Sequence, residues 1–145
     1  MDDPALNVRL IYYSYRVSGA DSREIEDILT ISLERNAKEG ITGMLAYSED
    51  FFMQLLEGTA GPVNDLYAGI MGDHRHNRLR LIEYGPAPQK RFTNWAMGVA
   101  KLPGFLGTYI NRLHGGFYPP AFSPREAREF LEIIRDFQEQ AYPAD

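Results

Sequence analysis

The alternation of apolar and polar positions opens the chain on a strand. Leu6, Val8, Leu10, Tyr12 and Ser14 fall on one face of residues Leu6–Tyr15, and Arg9, Ile11, Tyr13 and Tyr15 on the other. The period then lengthens. Ile25, Ile28, Leu29, Ser32 and Leu33 recur at helical spacing, Asp21 or Ser22 is placed to cap the start, and Gly40 marks the end. Ile41–Tyr47 and Phe51–Glu57 read as two strands joined by Ser48-Glu49-Asp50. A second helix is expected to open at Gly61-Pro62, with Val63, Leu66, Tyr67, Ile70 and Met71 as its stripe. Leu79–Tyr84 predicts a fourth strand and Trp95–Ala100 a fifth. A last helix starts at Ser123-Pro124 with Glu126 set for a capping box, and Ala127, Phe130, Leu131, Ile134 and Phe137 make it amphipathic.

The order βαββαβ(β) predicts an α+β fold of ferredoxin-like type, both crossover helices lying on one face of the sheet. Residues 1–101 would form this domain and residues 102–145 a C-terminal helical extension. In the extension, Leu102-Pro103-Gly104 and the stretch from Gly115-Gly116 to Pro119-Pro120 bracket a short helical piece. Ile133, beside the main stripe, gives the last helix more apolar surface than one stripe requires. The extension is expected either to pack on the outer sheet face or to form an interface.

Composition narrows the function. Of 145 residues, 44% are hydrophobic and 12% aromatic, which suffices for a core. The net charge of -5 and the lack of a basic stripe argue against nucleic acid. No cysteine is present, so disulfide and thiolate chemistry are excluded. The opening MDDPALNVRL is not a signal peptide, and no apolar run approaches the roughly 18 residues of a membrane span. A soluble cytoplasmic domain is expected.

Two polar residues stand where apolar ones belong. Gln54 interrupts Phe51-Phe52-Met53-Gln54-Leu55-Leu56, and a buried amide is costly unless its donors and acceptors are satisfied. If the first and third strands are parallel neighbours, Tyr12 and Gln54 face the same side. A structural hydrogen bond between them would explain both residues. A ligand-free interaction module fits the fold equally but gives no reason for Gln54. An acylphosphatase-like enzyme shares the βαββαβ order but needs a Gly-rich anion loop after the first strand. Val17-Ser18-Gly19-Ala20 supplies a single glycine there, with no arginine close behind.

Several motifs then appear in series. They are Leu10-Ile11-Tyr12-Tyr13-Ser14, Asn36 followed by Gly40-Ile41-Thr42-Gly43, Gln54-Leu55-Leu56-Glu57-Gly58, Asp73-His74-Arg75-His76 and Trp95-Ala96-Met97. In order and spacing, residues 6–101 resemble the BLUF family of blue-light sensors that use flavin. The resemblance implies non-covalently bound FAD, with FMN or riboflavin as alternatives, held between the two helices. Ile28 and Ile70 would sandwich the ring and Asn36 would bond its pyrimidine edge, with Asp73, Arg75 and His76 as further contacts. It implies that light drives electron and proton transfer from Tyr12, that Gln54 rearranges its hydrogen bonds, and that Trp95 or Met97 reads the change. A sensor of this kind is not an enzyme. It passes its signal to an effector protein and is expected to self-associate. Three positions depart from the family pattern. Arg35 stands where Asn or His is frequent, Gly69 where Arg or Lys is frequent, and Ala96 where Ser is usual.

Overall fold

A computed structural model describes residues 6–16, 22–72, 76–92, 98–101 and 116–141. The elements run β1 (Asn7–Arg16), α1 (Ser22–Glu39), β2 (Thr42–Tyr47), β3 (Phe51–Thr59), α2 (Ala60–Met71), β4 (His76–Pro86) and β5 (Gly98–Lys101). A 3-10 turn (Pro119–Ala121) and α3 (Pro124–Ala141) follow. The strands form one sheet in the order β4-β1-β3-β2-β5. The ferredoxin-like expectation therefore holds, with β5 added in parallel beside β2.

One expectation is corrected. β1 and β3 are neighbours but antiparallel. Consecutive hairpin strands β2 and β3 must run oppositely, and the α1 crossover makes β2 follow the direction of β1, so β3 opposes β1. Smaller differences lie at element ends. β4 extends well beyond Leu79–Tyr84 because its partner β1 offers backbone bonds along nearly its whole length. α2 starts at Ala60, one residue early, since Pro62 in the first turn lacks only an N–H that has no helical partner anyway. Leu6, read as sharing a face with Val8, Leu10 and Tyr12, is exposed while those three are buried. Of the predicted fifth strand, Gly98–Ala100 is observed and Trp95–Met97 lies outside the described residues. Asp21 and the short helical piece expected after Gly104 lie outside them too.

Burial follows the alternation. Val8, Leu10, Tyr12, Leu45, Phe52 and Leu56 pack under α2 through Ala60, Val63 and Leu66. Ile11, Met44, Ala46, Met53 and Leu55 face the other way, where Ala127, Phe130, Leu131 and Ile134 of α3 cover them. Burying large side chains such as Phe130 and Leu131 contributes roughly 1.5–3 kcal/mol each. The predicted capping box is present: Glu126 N–H donates to Ser123 Oγ at 3.1 Å, and Ser123 N–H to Glu126 Oε1 at 3.0 Å. Central β3 is buried on both faces. Among the described residues no helix is long and apolar enough to cross a membrane.

Two glycines fix local geometry. Gly40 ends α1 at φ +69°, and the Ile41 N–H beyond it donates to the Asn36 carbonyl at 3.0 Å, closing a Schellman turn. At Gly43 in β2, an added Cβ would run into the Leu55 carbonyl oxygen of β3. The Gly43→Ala variant is therefore expected to lose about 1–3 kcal/mol or more by overpacking, read as a lowered urea midpoint. An unchanged midpoint would show that the β2–β3 pair can spread.

Candidate functional site

Antiparallel register sets Tyr12 directly opposite Gln54. Both side chains point to the helix-bearing face, because Leu10 and Tyr12 on β1 and Phe52, Gln54 and Leu56 on β3 share parity. The Tyr12 hydroxyl donates to Gln54 Oε1 at 2.6 Å, with Tyr12 0% and Gln54 4% exposed. The bond engages the acceptor end of the amide and so orients its donor end away from Tyr12. The Tyr67 ring of α2 lies 5.5 Å from the Tyr12 ring at 50°. Tyr67 and Ile70 are half-buried against the same cluster, and burial pushes the Tyr67 phenol above its usual range.

Asn36 is fully buried. Its backbone carbonyl closes the α1 terminus, and Ile41, the residue bonded to it, is part of the same cluster. Tyr12, Gln54 and Ile70 thus converge on one cluster, and Asn36 is tied to it through Ile41. The side chain of Ile28 lies outside the described residues, as do Asp73, Arg75, Trp95 and Met97. His76 begins β4 with its backbone paired to Arg16, and its side chain is outside what is described.

The opposite face holds a residue that the sequence reading passed over. Glu57 is fully buried yet meets four donors. Its Oε2 accepts from Arg9 Nε at 3.0 Å and pairs with Arg9 Nη2 at 2.9 Å, while Oε1 accepts the backbone N–H groups of Arg91 at 2.8 Å and Phe92 at 2.9 Å. Arg91 is bound from α3 as well: Glu132 takes its guanidinium at 2.7 Å and Arg135 donates to its carbonyl at 2.6 Å. A glutamate at the end of an apolar strand was the available signal. Its partners lie 34–48 residues away and could not be read locally.

Fold and site together define a ferredoxin-like domain with a hydrogen-bonded phenol–amide pair buried on its helix-bearing face. Residues 8–98 match the profile of BLUF, described as sensors of blue-light using FAD. The chain belongs to this family, whose members are flavin-based blue-light sensor modules. It is 32% identical over 91 residues to the photoactivated adenylate cyclase subunit alpha of Euglena gracilis, a match covering 61% of this chain and 9% of that protein. It is 34% identical over 83 residues to the blue light- and temperature-regulated antirepressor BluF of Escherichia coli (strain K12), covering 57% and 21%. The chain thus spans only a small part of these curated relatives. Among solved structures, the photo-activated state of BlsA superposes with a TM-score of 0.81 at 27% identity, over 89% of this chain and 94% of that one. The dark state of BlrB, a BLUF protein, gives 0.79 at 26%, over 92% and 98%.

Two outcomes follow from this geometry. Glu57→Gln sets an amide N–H₂ against donors on either side, and is expected to cost about 3 kcal/mol in denaturant unfolding. A loss well under 1 kcal/mol would mean that the clamp contributes little. For Tyr67, folding favours the neutral phenol, so its contribution to stability is complete below about pH 10. It is lost as pH rises from there through the higher folded value. Melting temperatures measured from about pH 9 to 11 should fall less steeply in Tyr67→Phe.

Proposed function

We propose that this chain binds FAD non-covalently between α1 and α2 and signals blue light through the Tyr12–Gln54 hydrogen bond. The observation that carries this is the 2.6 Å bond from Tyr12 to Gln54, buried on the helix-bearing face. The donor set suits an isoalloxazine ring, whose polar edge alternates hydrogen-bond acceptors with an N–H. Asn36 and Gln54 are buried amides able to give and accept. Ile70 and Ile28 would supply apolar contact to the ring faces, and Asp73, Arg75 and His76 would meet the side chain of the flavin.

When bound, the flavin absorbs blue light and becomes an acceptor for an electron and a proton. Tyr12 is the donor, since its phenol is buried and its proton already points along a short bond. Gln54 relays that proton and, on its return, reverses the ends of its amide, so that its hydrogen bonding toward the ring is altered. No covalent link to the protein is needed, in keeping with a sequence that holds no cysteine. Trp95 and Met97, leading into β5, read the rearrangement.

The chain has no catalytic turnover of its own in this reading. Residues 1–101 are the sensor and 102–145 the extension through which a cytoplasmic effector protein, or a second copy, is engaged. Ile133, a large apolar side chain that α3 leaves exposed, supports this.

The purified protein should be yellow and show a reversible red shift under blue light. Tyr12→Phe should keep the flavin, lose about 1 kcal/mol of stability with its hydrogen bond, and abolish the shift. Gln54→Leu should likewise keep the flavin and lose the shift, because no amide remains to reverse. Normal photocycling in either variant would rule out the mechanism.

A further inference from the structure

Across the sheet from the Tyr12–Gln54 pair, the segment after β4 borders a cavity of about 540 Å³. Arg9, Lys90 and Arg91 line it together with Gln89 and residues 86–88. It presents three cations and no carboxylate, in a chain whose net charge is -5. Arg9 is the buried member, 9% exposed. Its Nε and Nη2 both turn to one oxygen, Glu57 Oε2. Of the five guanidinium N–H groups, the other three meet no acceptor among the described residues. Lys90 gives one N–H to the Gly40 carbonyl at 2.7 Å and has no carboxylate partner among the described residues. Glu57 balances Arg9 and Glu132 balances Arg91, so one positive charge and several donors are left over. A smaller cavity that shares Arg9 and Pro86, about 290 Å³, differs in holding its own acid, Glu83, paired with Arg128 at 3.3 Å. The walls of the larger one are fixed in advance. Ala87 N–H donates to the Asn7 carbonyl at 2.9 Å, Glu57 takes the N–H groups of Arg91 and Phe92, and Pro86 and Pro88 have restricted φ.

Buried donors without acceptors inside a protein are satisfied from outside it, and a cleft lined by one sign of charge concentrates counter-ions. We propose that this cavity binds a phosphate group, held between Arg9 and Lys90. A phosphate has oxygens enough to meet the Arg9 fork and the Lys90 ammonium at once, which one carboxylate oxygen pair does less well. The volume falls within the roughly 300–1,000 Å³ of small-molecule sites, so an organic body attached to the phosphate has room. Arg9 shares parity with Ile11, and Glu57 with Leu55, on the face covered by α3. The site therefore stands apart from the helix-bearing face and does not depend on flavin binding. Once bound, the anion would join β1 to residues 90–92, the segment that Glu57 and α3 already hold.

The test titrates the full-length chain with inorganic phosphate, AMP and acetate at fixed ionic strength, following backbone amide resonances by NMR. Phosphate and AMP should shift the amides of Ala87, Gln89 and Lys90 saturably, and acetate should bind more weakly than either. Lys90→Gln should weaken phosphate about tenfold, the worth of one charge-assisted contact, and Lys90→Arg should retain it. Arg9 is left unaltered, because its removal would strand the buried Glu57. Tighter binding of AMP than of inorganic phosphate would identify the ligand as a phosphorylated molecule, and equal binding would identify it as phosphate itself. Absence of saturable shifts at residues 87–90, acetate binding as tightly as phosphate, or an unchanged affinity in Lys90→Gln would overturn the proposal. Shifts confined to the helix-bearing face would overturn it too, and would leave the flavin reading untouched.

Discussion

A strand with no solvent on either side must find protein partners for every polar group it buries, and β3 buries two polar side chains. Gln54 and Glu57 are three residues apart, so strand parity sends them to opposite faces. Each is satisfied by the sheet neighbour β1: Gln54 by Tyr12, Glu57 by Arg9. The pairing of β1 with β3 is therefore held by two polar contacts that fail together if the register slips. A slip of one residue would turn Tyr12 toward α3 and leave Gln54 facing an apolar cluster.

These two contacts divide the molecule. On the helix-bearing face the polar pair is reversible in principle, because an amide has two unlike ends. On the other face a carboxylate holding four donors has one good arrangement. That rigid side fixes Arg91 and Phe92, the last described residues before the Trp95–Met97 segment, and joins them to α3 through Glu132 and Arg135. The switchable side and the anchored side thus share one strand, and the connection toward β5 is rooted on the anchored one.

Much of this was legible in the sequence because it is local. Alternation in β1 from Val8 onward, the helical stripe of α2 from Val63 to Ile70, the Gly40 stop and the Ser123–Glu126 box each lie within a few residues and appear as read. Leu6 and Met71, at the ends of their stripes, are exposed. Gln54 was conspicuous as an amide inside an apolar run. What escaped depends on distant chain. The direction of β3 against β1 follows from connectivity rather than from either strand alone. Glu57 looked like a strand-end charge until residues 91 and 92 arrived beside it.

The outer edge of β4 has a consequence for how such a domain behaves in a crowded solution. An eleven-residue strand that is paired on one side only among the described residues invites foreign chains to add to the sheet, and this one exposes Leu81 and part of Tyr84. Its line is broken, however. Arg78 sits in the left-handed region at φ 53°, and the pairing with β1 shifts register twice, so the ribbon kinks where a flat template would be needed. Arg78 and Arg80 charge the same stretch. Aggregation by strand addition is thereby discouraged along the β4 margin, where a neighbour would find a broken ladder rather than a template.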